Sequence, residues 1–570
     1  MFKNNWDASV AEKIWSDKGL SPADKDLALR IYSCRLIGAE PDLVMHGGGN
    51  TSVKTKRMDI LGADRDVIHV KGSGADLDDI TEAGLPGMYL EPLLALQKLQ
   101  NLSDEDMINA ERQCLIQSNS PNPSIETLLH AFLPHKFVEH THSTPFLVLA
   151  NLVDADFITK SIFGDEIAIV PYVIPGFDLA KLAYEIYLKD QNVKGMLLIN
   201  HGHFSFGKTA EESYSRLIEQ TNKVARYLGM EKKTEIGKKD IELANFLPII
   251  RGVYSDLGGS SPISSPVFEV RSSKNIRSRL DLARFGTLGV ASPDHIIRIK
   301  SKPLILQESE IRKGKIRISE EILKFVAKYE AYFERNNKAS GKKKIKLDSL
   351  PRHIWIPNFG IIGVGVDKKS ARAAADLSEQ NLYVRSIAHK FEGFHPISEK
   401  DEFDIEYWDL EQAKLHKISR KMLSGQIAMI TGAGGAIGSS IARMFVRAGA
   451  EVLLVDKNLD TLKVIAEELE APYLAIDLCD NDAPVRCLNA LEINFGGGDI
   501  LVSNAGIAIR GDLHLLSEDL FDRSFDLNFE VHRKLSIQFS RMLINQGKGG
   551  QILFNISKQS VNPGKGLGSY

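Results

Sequence analysis

Residues 425–456 read GQIAMI TGAGGAIG SSIARMFVRAG AEVLLVD. An apolar run at 427–430 meets a glycine-rich turn, a helical pattern follows at 439–449, and a second apolar run ends on Asp456. Strand, turn, helix and strand in this order imply parallel strands in a sheet covered by helices. A glycine turn that opens a helix gathers backbone N–H groups at the positive end of the helix dipole, which suits a pyrophosphate. In this reading Gly432, Gly434, Ile437 and Gly438 meet a dinucleotide. Asp456, 24 residues beyond Gly432, would accept from ribose hydroxyls and repel a 2′-phosphate, which favours NAD over NADP. The adjacent Lys457 works against that preference, and an Asp closing a strand is also ordinary turn chemistry.

The chain around this stretch has 570 residues, 43% hydrophobic and 25% charged, with a formal net charge of −3. Its length suggests roughly three domains, and its composition is that of a globular protein. The charge argues against a nucleic-acid binder. The lysine run 342–344 follows Ser340 and Gly341 and reads as a solvated linker. Cysteines stand at 34, 114, 479 and 487, none in a Cys-x-x-Cys pair, so neither a disulfide framework nor a cysteine metal site is expected. A reducing compartment fits. The N-terminal MFKNNWDASVAEKIW lacks the apolar core of a signal peptide. The longest apolar stretches, such as 146–153, fall well short of the ~20 residues that span a bilayer. A cytoplasmic protein acting on small molecules, away from membranes, is expected.

Toward the N-terminus, residues 20–235 alternate helical patterns with short apolar strands, including 137–142 and 195–200. His140 and His142 lie in VEHTHS. Side chains at i and i+2 of a strand share a face, so both imidazoles would point the same way. His201 stands where the apolar run GMLLIN gives way to Gly202. Three neutral imidazoles with an open fourth position make a catalytic zinc site. The competing reading is three unrelated polar residues at strand ends. Between 240 and 420 the pattern is less regular: lysine-rich segments at 310–345 precede a strand-like piece, IWIPNFGIIGVGV, and a helix-like one, SARAAADLSEQ.

Residues 20–235 resemble the class II aldolase and adducin-like family through GGGNTS (47–52), VKGSG (70–74), NPSIE (122–126), VEHTHS (138–143) and LLINHG (197–202). The resemblance implies an α/β/α domain in which His140, His142 and His201 bind Zn2+ and Glu126 is the acid/base group. It also implies that Gly49, Asn50, Ser52, Ser73 and Gly74 hold a substrate phosphate, with Ser124 beside the carboxylate. The chemistry agrees: breaking a carbon–carbon bond beta to a ketone develops charge on oxygen that a cation stabilises, and a carboxylate can move the proton. Glu126 is also placed to act as a helix N-terminal carboxylate, and Asn50 and Ser52 are also ordinary turn residues. His130 and His203 fall outside the family's ligand pattern and are not expected to bind metal.

From 421 onward the chain resembles the short-chain dehydrogenases through TGAGGAIG (431–438), AIDL (475–478), SNAG (503–506), FDLNF (525–529) and NISKQSVNPGKGLGSY (555–570). That implies a doubly wound parallel sheet of the Rossmann type. Asp477, Asn504, Ala505 and Gly506 would lie at the cofactor, and Asn528, Ser557 and Tyr570 in the active site. Ser557 and Tyr570 keep the family's spacing of thirteen. Ala436 departs from it, standing where the turn usually has its second glycine. The family's lysine, four residues past the tyrosine, lies beyond Tyr570. On this reading the Rossmann domain is incomplete; the chain is either a fragment of a longer product, the favoured reading, or a protein with a disabled dehydrogenase half, and no NAD-linked turnover is expected of it.

The two halves together resemble the bifunctional rhamnulose-1-phosphate aldolase/short-chain dehydrogenases, with SPDHIIRIK (292–300) and FDIEYWDLEQAKL (403–415) matching between them. The implied layout is a zinc aldolase domain at 20–240, a connecting region at 241–420 and a dehydrogenase domain at 421–570. The implied reaction cleaves rhamnulose 1-phosphate to dihydroxyacetone phosphate and L-lactaldehyde, with the dehydrogenase acting on the aldehyde. Relatives of the aldolase half are oligomers, so a homo-oligomer is expected. Two alternatives stay open. One is an epimerase, dehydratase or aldolase for another sugar phosphate, such as fuculose 1-phosphate or ribulose 5-phosphate. The other is a non-catalytic adducin-like module, which the retained histidines and carboxylate argue against.

Overall fold

The computed structural model describes residues 1–230, 244–280, 285–341, 343–391, 393–408, 421–562 and 564–570. Lys342, Pro563, the end of the 403–415 motif and the expected domain boundaries near 240 and 420 lie outside them. The described residues form two compact units, one within 1–234, 287–302 and 380–417, the other within 235–286, 303–379 and 418–570. The region expected to connect two domains thus contributes to both units.

The first unit is built on a seven-stranded sheet. Its strands are β1 (Asn50–Met58), β2 (Asp64–Val70), β3 (Gly87–Tyr89), β4 (Phe137–Thr141), β5 (Ile167–Val170), β6 (Gly195–Leu198) and β7 (Gly202–Gly207). They run in the order β3-β2-β1-β4-β7-β6-β5, with β5–β6 the parallel pair and the other neighbours antiparallel. Alternation along each strand sends apolar side chains to both faces. Met196 and Leu198 join Leu128, Phe132 and Phe177 on one side, whereas Leu197 joins Phe146 and Val224 on the other. Helices therefore cover both faces, the expected α/β/α arrangement. Helix Pro22–Gly38 starts where Ser21 accepts from the Asp24 N–H and Pro22 occupies the first turn, a position that needs no N–H donor.

The second unit holds two sheets. The smaller has the order β8-β11-β10-β9, from Val267–Arg271, Gly360–Gly365, His353–Ile356 and Leu304–Ile305. The strand-like run 354–366 is thus two strands, turned at Asn358, whose φ is 65°. The larger sheet is all parallel, with strands β12 (Ile427–Thr431), β13 (Glu451–Asp456), β14 (Tyr473–Ala475), β15 (Ile500–Ser503) and β16 (Gln551–Phe554). Its order β14-β13-β12-β15-β16 reverses direction at β12, so the carboxyl ends of β12 and β15 mark the switch point at which doubly wound sheets take ligands. Among the described residues no helix is long and apolar enough to cross a membrane.

Candidate metal centre and dinucleotide site

Three strands bring the first site together. Asn50, at the start of β1, pairs with His140 on β4, and His140 pairs with Phe204 on β7. Glu139 points to the opposite face, where Arg30 Nη2 and Ser213 Oγ donate to it at 2.6 and 2.8 Å. That alternation leaves His140 and His142 on one side. His201 joins them from the turn between β6 and β7, after Asn200 with its φ of 54°. Gly202 makes the convergence possible, because a Cβ there would stand 2.8 Å from the His142 ring and 3.0 Å from that of His140.

The proton positions follow from the outer partners. His140 Nδ1 lies 3.1 Å from the His203 carbonyl and His142 Nδ1 contacts the Asp294 carboxylate, so both Nδ1 atoms donate. With both rings neutral, the two Nε2 atoms carry lone pairs that face each other at 2.9 Å with no proton between them. His201 Nε2 and His140 Nε2 also face Glu126 Oε1, at 3.2 and 3.5 Å. One donor atom from each of His140, His142 and His201 lies within 4.8 Å of the others, all three residues being buried. Facing lone pairs beside a carboxylate, in a buried place, fit a divalent metal ion.

Burial and the neighbouring histidines push His140 well below the ordinary histidine range, and burial takes His201 down to about 3. Burial would also lower His142, but the Asp294 carboxylate outweighs it and the net shift is upward. A proton on His142 and a metal ion there compete for Nε2.

A chain of hydrogen bonds holds Glu126. Asn50 Nδ2 donates to its Oε2 at 2.5 Å and to Ser124 Oγ at 3.1 Å. The Asn50 carbonyl contacts His130 Nε2, and Ser52 Oγ lies 2.8 Å from His130 Nδ1. An amide oxygen only accepts, so His130 donates from Nε2 and accepts the Ser52 hydroxyl at Nδ1. Burial keeps His130 neutral, far below its ordinary range.

A cleft opens beside these groups. Its lining includes the polar groups of Asn50, Lys71, Ser73, Ser124, Glu126, His142 and His201 with Gly49 and Gly74, and the apolar Pro175, Ile297, Ile405 and Trp408. Of the residues expected at a phosphate, Ser52 is the one that does not line it: strand pairing buries Ser52 against His130. His130 and His203 stand outside the histidine cluster, His203 stacked on Phe146 and bonded to Gln220 at 2.9 Å. The sequence reading missed Asp294 and Lys71, whose ammonium donates to the carbonyls of Gly47 and Ala75 at 2.8 Å. The quoted motifs VKGSG and SPDHIIRIK contain both residues, and that was the available signal.

In the second unit the glycine turn leads from β12 into helix Ala436–Arg447. Gly432 has a φ of 66°, Ile437 is exposed in the first turn, and Gly438 lies in the same turn. Asp456 ends β13 and accepts from the Gly434 N–H at 3.0 Å, which puts its carboxylate beside the turn. Asp477 caps the segment after β14, accepting from Cys479 N. The N–H groups of Asn504 and Ala505 bond Thr431 Oγ1 at 2.9 and 3.1 Å, bracing β15 against β12, and Gly506 follows against Asn528. Asn528 sits in a single π-turn, Asp526–Glu530, where its amide bonds both backbone groups of Ile507 at 2.9 Å. Such turns recur at functional sites. Ser524 Oγ links Asn528 to the carbonyl of Ser569, next to Tyr570. Ser557 instead caps the turn Lys558–Ser560, and among the described residues no hydrogen bond joins it to Asn528 or Tyr570.

Three family models match the chain: the class II aldolase and adducin N-terminal domain at 29–227, the aldolase class II second domain at 241–415, and short chain dehydrogenase at 426–570. The chain is a fusion of class II aldolase domains with a short-chain dehydrogenase domain, an enzyme architecture. An uncharacterized oxidoreductase of Bacillus subtilis (strain 168), YuxG, is 28% identical over 593 residues, which cover 98% of this chain and 84% of that protein. Sorbitol dehydrogenase of Cereibacter sphaeroides is 32% identical over 147 residues, 25% of this chain; the match spans only 57% of that enzyme. The N-terminal class II aldolase domain of a conserved protein from Thermoplasma acidophilum is 33% identical, covering 40% of this chain and 100% of that one, with a TM-score of 0.36.

Proposed function

We propose that the first unit is a cytoplasmic zinc-dependent aldolase that cleaves rhamnulose 1-phosphate to dihydroxyacetone phosphate and L-lactaldehyde. The second unit would carry the NAD-linked dehydrogenase site for the aldehyde. The observation that carries the reading is the convergence of three imidazole Nε2 atoms beside the Glu126 carboxylate at a cleft. A zinc ion held by His140, His142 and His201 would supply positive charge where the substrate oxygens gain negative charge. Glu126 takes the proton of the hydroxyl that becomes the aldehyde as the carbon–carbon bond breaks. It returns a proton to the ketone-side carbon, which keeps the electron pair and becomes part of dihydroxyacetone phosphate. Asn50 fixes one carboxylate oxygen and so aims the other. The backbone around Gly49, Ser73 and Gly74, with Ser124 and Lys71 nearby, receives the phosphate. In the second unit Gly432, Gly434, Ile437 and Gly438 would receive the pyrophosphate and Asp456 the ribose.

Metal analysis together with cleavage assays on rhamnulose 1-phosphate, fuculose 1-phosphate and ribulose 5-phosphate tests this. The expected result is about one zinc per subunit and preference for rhamnulose 1-phosphate, with metal and activity both lost in His140→Ala. Unchanged zinc in that variant, or epimerisation of ribulose 5-phosphate without cleavage of any substrate, would overturn the reading.

A further inference from the structure

We infer that Asp294 is a positioning residue of the metal site: its carboxylate fixes His142 and sets how tightly the ion is held. This rests on the metal reading above. Asp294 lies 152 residues from His142 in sequence, within the stretch matched by the second aldolase domain model and outside the N-terminal one. Its Oδ2 contacts His142 Nδ1. The other two rings are held differently. His140 Nδ1 donates to a carbonyl, and among the described residues His201 Nδ1 has no hydrogen-bond partner. A carboxylate behind a ligating imidazole fixes the tautomer and ring angle and raises the basicity of the ligating nitrogen.

The carboxylate is built in place. It stands in the first turn of helix Pro293–Ile299, whose Ile296 and Ile299 are buried. Ser292 Oγ pairs with His295 Nδ1 at 2.8 Å where the helix begins. One turn on, Arg298 Nη2 donates to the His46 carbonyl at 2.8 Å, tying the helix to the glycine-rich turn before β1. Gly48, in that turn, leaves the room: a Cβ there would overlap Asp294 Oδ2. The second aldolase domain therefore completes the surroundings of an ion whose ligands all come from the first.

The test measures zinc affinity of the whole chain by competition with a chromophoric chelator, and the absorption spectrum of the cobalt-loaded protein. Asp294→Ala is expected to weaken zinc roughly 10–100-fold and to shift the cobalt bands. Asp294→Asn, which keeps an acceptor oxygen without charge, is expected between Ala and the unaltered chain. Gly48→Ala should weaken zinc with the carboxylate still present, because the added methyl displaces it. Unaltered affinity and spectrum in Asp294→Ala would overturn the inference while leaving the three histidines as ligands. Absence of zinc binding by the unaltered chain would remove both readings. Thermal unfolding of each metal-free variant shows whether it folds; should Asp294→Ala fail, Asp294→Asn and Gly48→Ala decide.

Discussion

Glu126 and His203 show how one buried site separates chemistry from scaffold. Glu126→Gln keeps the shape and the Asn50 contact but cannot take a proton, so cleavage should fall ~10²–10⁴-fold while zinc content stays unchanged. Loss of zinc in that variant would make Glu126 a ligand instead. His203 is fully buried, and burial takes its pKa down to about 3 against a smaller opposing pull from Gln220. The unfolded chain protonates this ring near 6.5, whereas the folded one refuses the proton until about pH 3. Between those values the unfolded state binds more protons, so stability falls as pH drops below about 6.5 and its loss levels off near the folded value. His203→Phe, which keeps the stack on Phe146, should reduce the slope of unfolding free energy against pH by up to about 1.4 kcal/mol per unit. An unchanged slope from pH 4 to 6 would show that His203 does not titrate in this way. Among residues, the histidine cluster was legible because His-x-His on a strand encodes a shared face. The role of Ser52 was not: its place in the motif suggested a ligand contact, but pleating turns it inward to His130.

At the scale of elements, the second unit is pinned by a buried ion pair. Arg251, in helix Leu247–Gly258, bonds both oxygens of Asp499 at 2.9 and 2.7 Å, with both side chains nearly inaccessible. Asp499 also accepts from Ile427 N at 2.9 Å, joining the start of β12 to the end of the turn before β15. Burial alone would raise the Asp499 carboxyl, but the Arg251 guanidinium holds it below its usual range. Arg251→Met leaves that charge buried without its main partner and should cost ~3–5 kcal/mol in urea unfolding of this unit. Arg251→Met/Asp499→Asn should recover part of the loss, and equal midpoints for all three proteins would dismiss the pair. The β12–turn–helix–β13 unit was readable in advance because its glycines and its two periodicities agree. The hairpin at 353–365 was not, since its apolar residues run on through the turn and only Pro357 and Asn358 interrupt them. Helix Pro293–Ile299 carries Asp294 to the histidines across a separation that no local pattern encodes.

At the scale of the molecule, each unit has its own apolar core and its own proposed ligand. The first is packed around residues such as Phe132, Val138 and Phe204, the second around Ile250, Phe268 and Ile354 beneath one sheet and Met429, Leu453 and Leu501 beneath the other. The proposed metal donors all lie in the first unit and the glycine turn with Asp456 in the second. A ligand that binds only the folded form stabilises what it binds, by about 2.7 kcal/mol at a hundred times its dissociation constant, and units of this size shift by several degrees for such a gain. Calorimetry of the whole chain should therefore show two transitions. A chelator should lower one and leave the other in place, NAD should raise the other, and His140→Ala should reproduce the chelator's effect without added reagent. A single transition that moves with either ligand would mean that the two halves unfold as one cooperative body, and chemistry assigned to separate units would have to be argued as one.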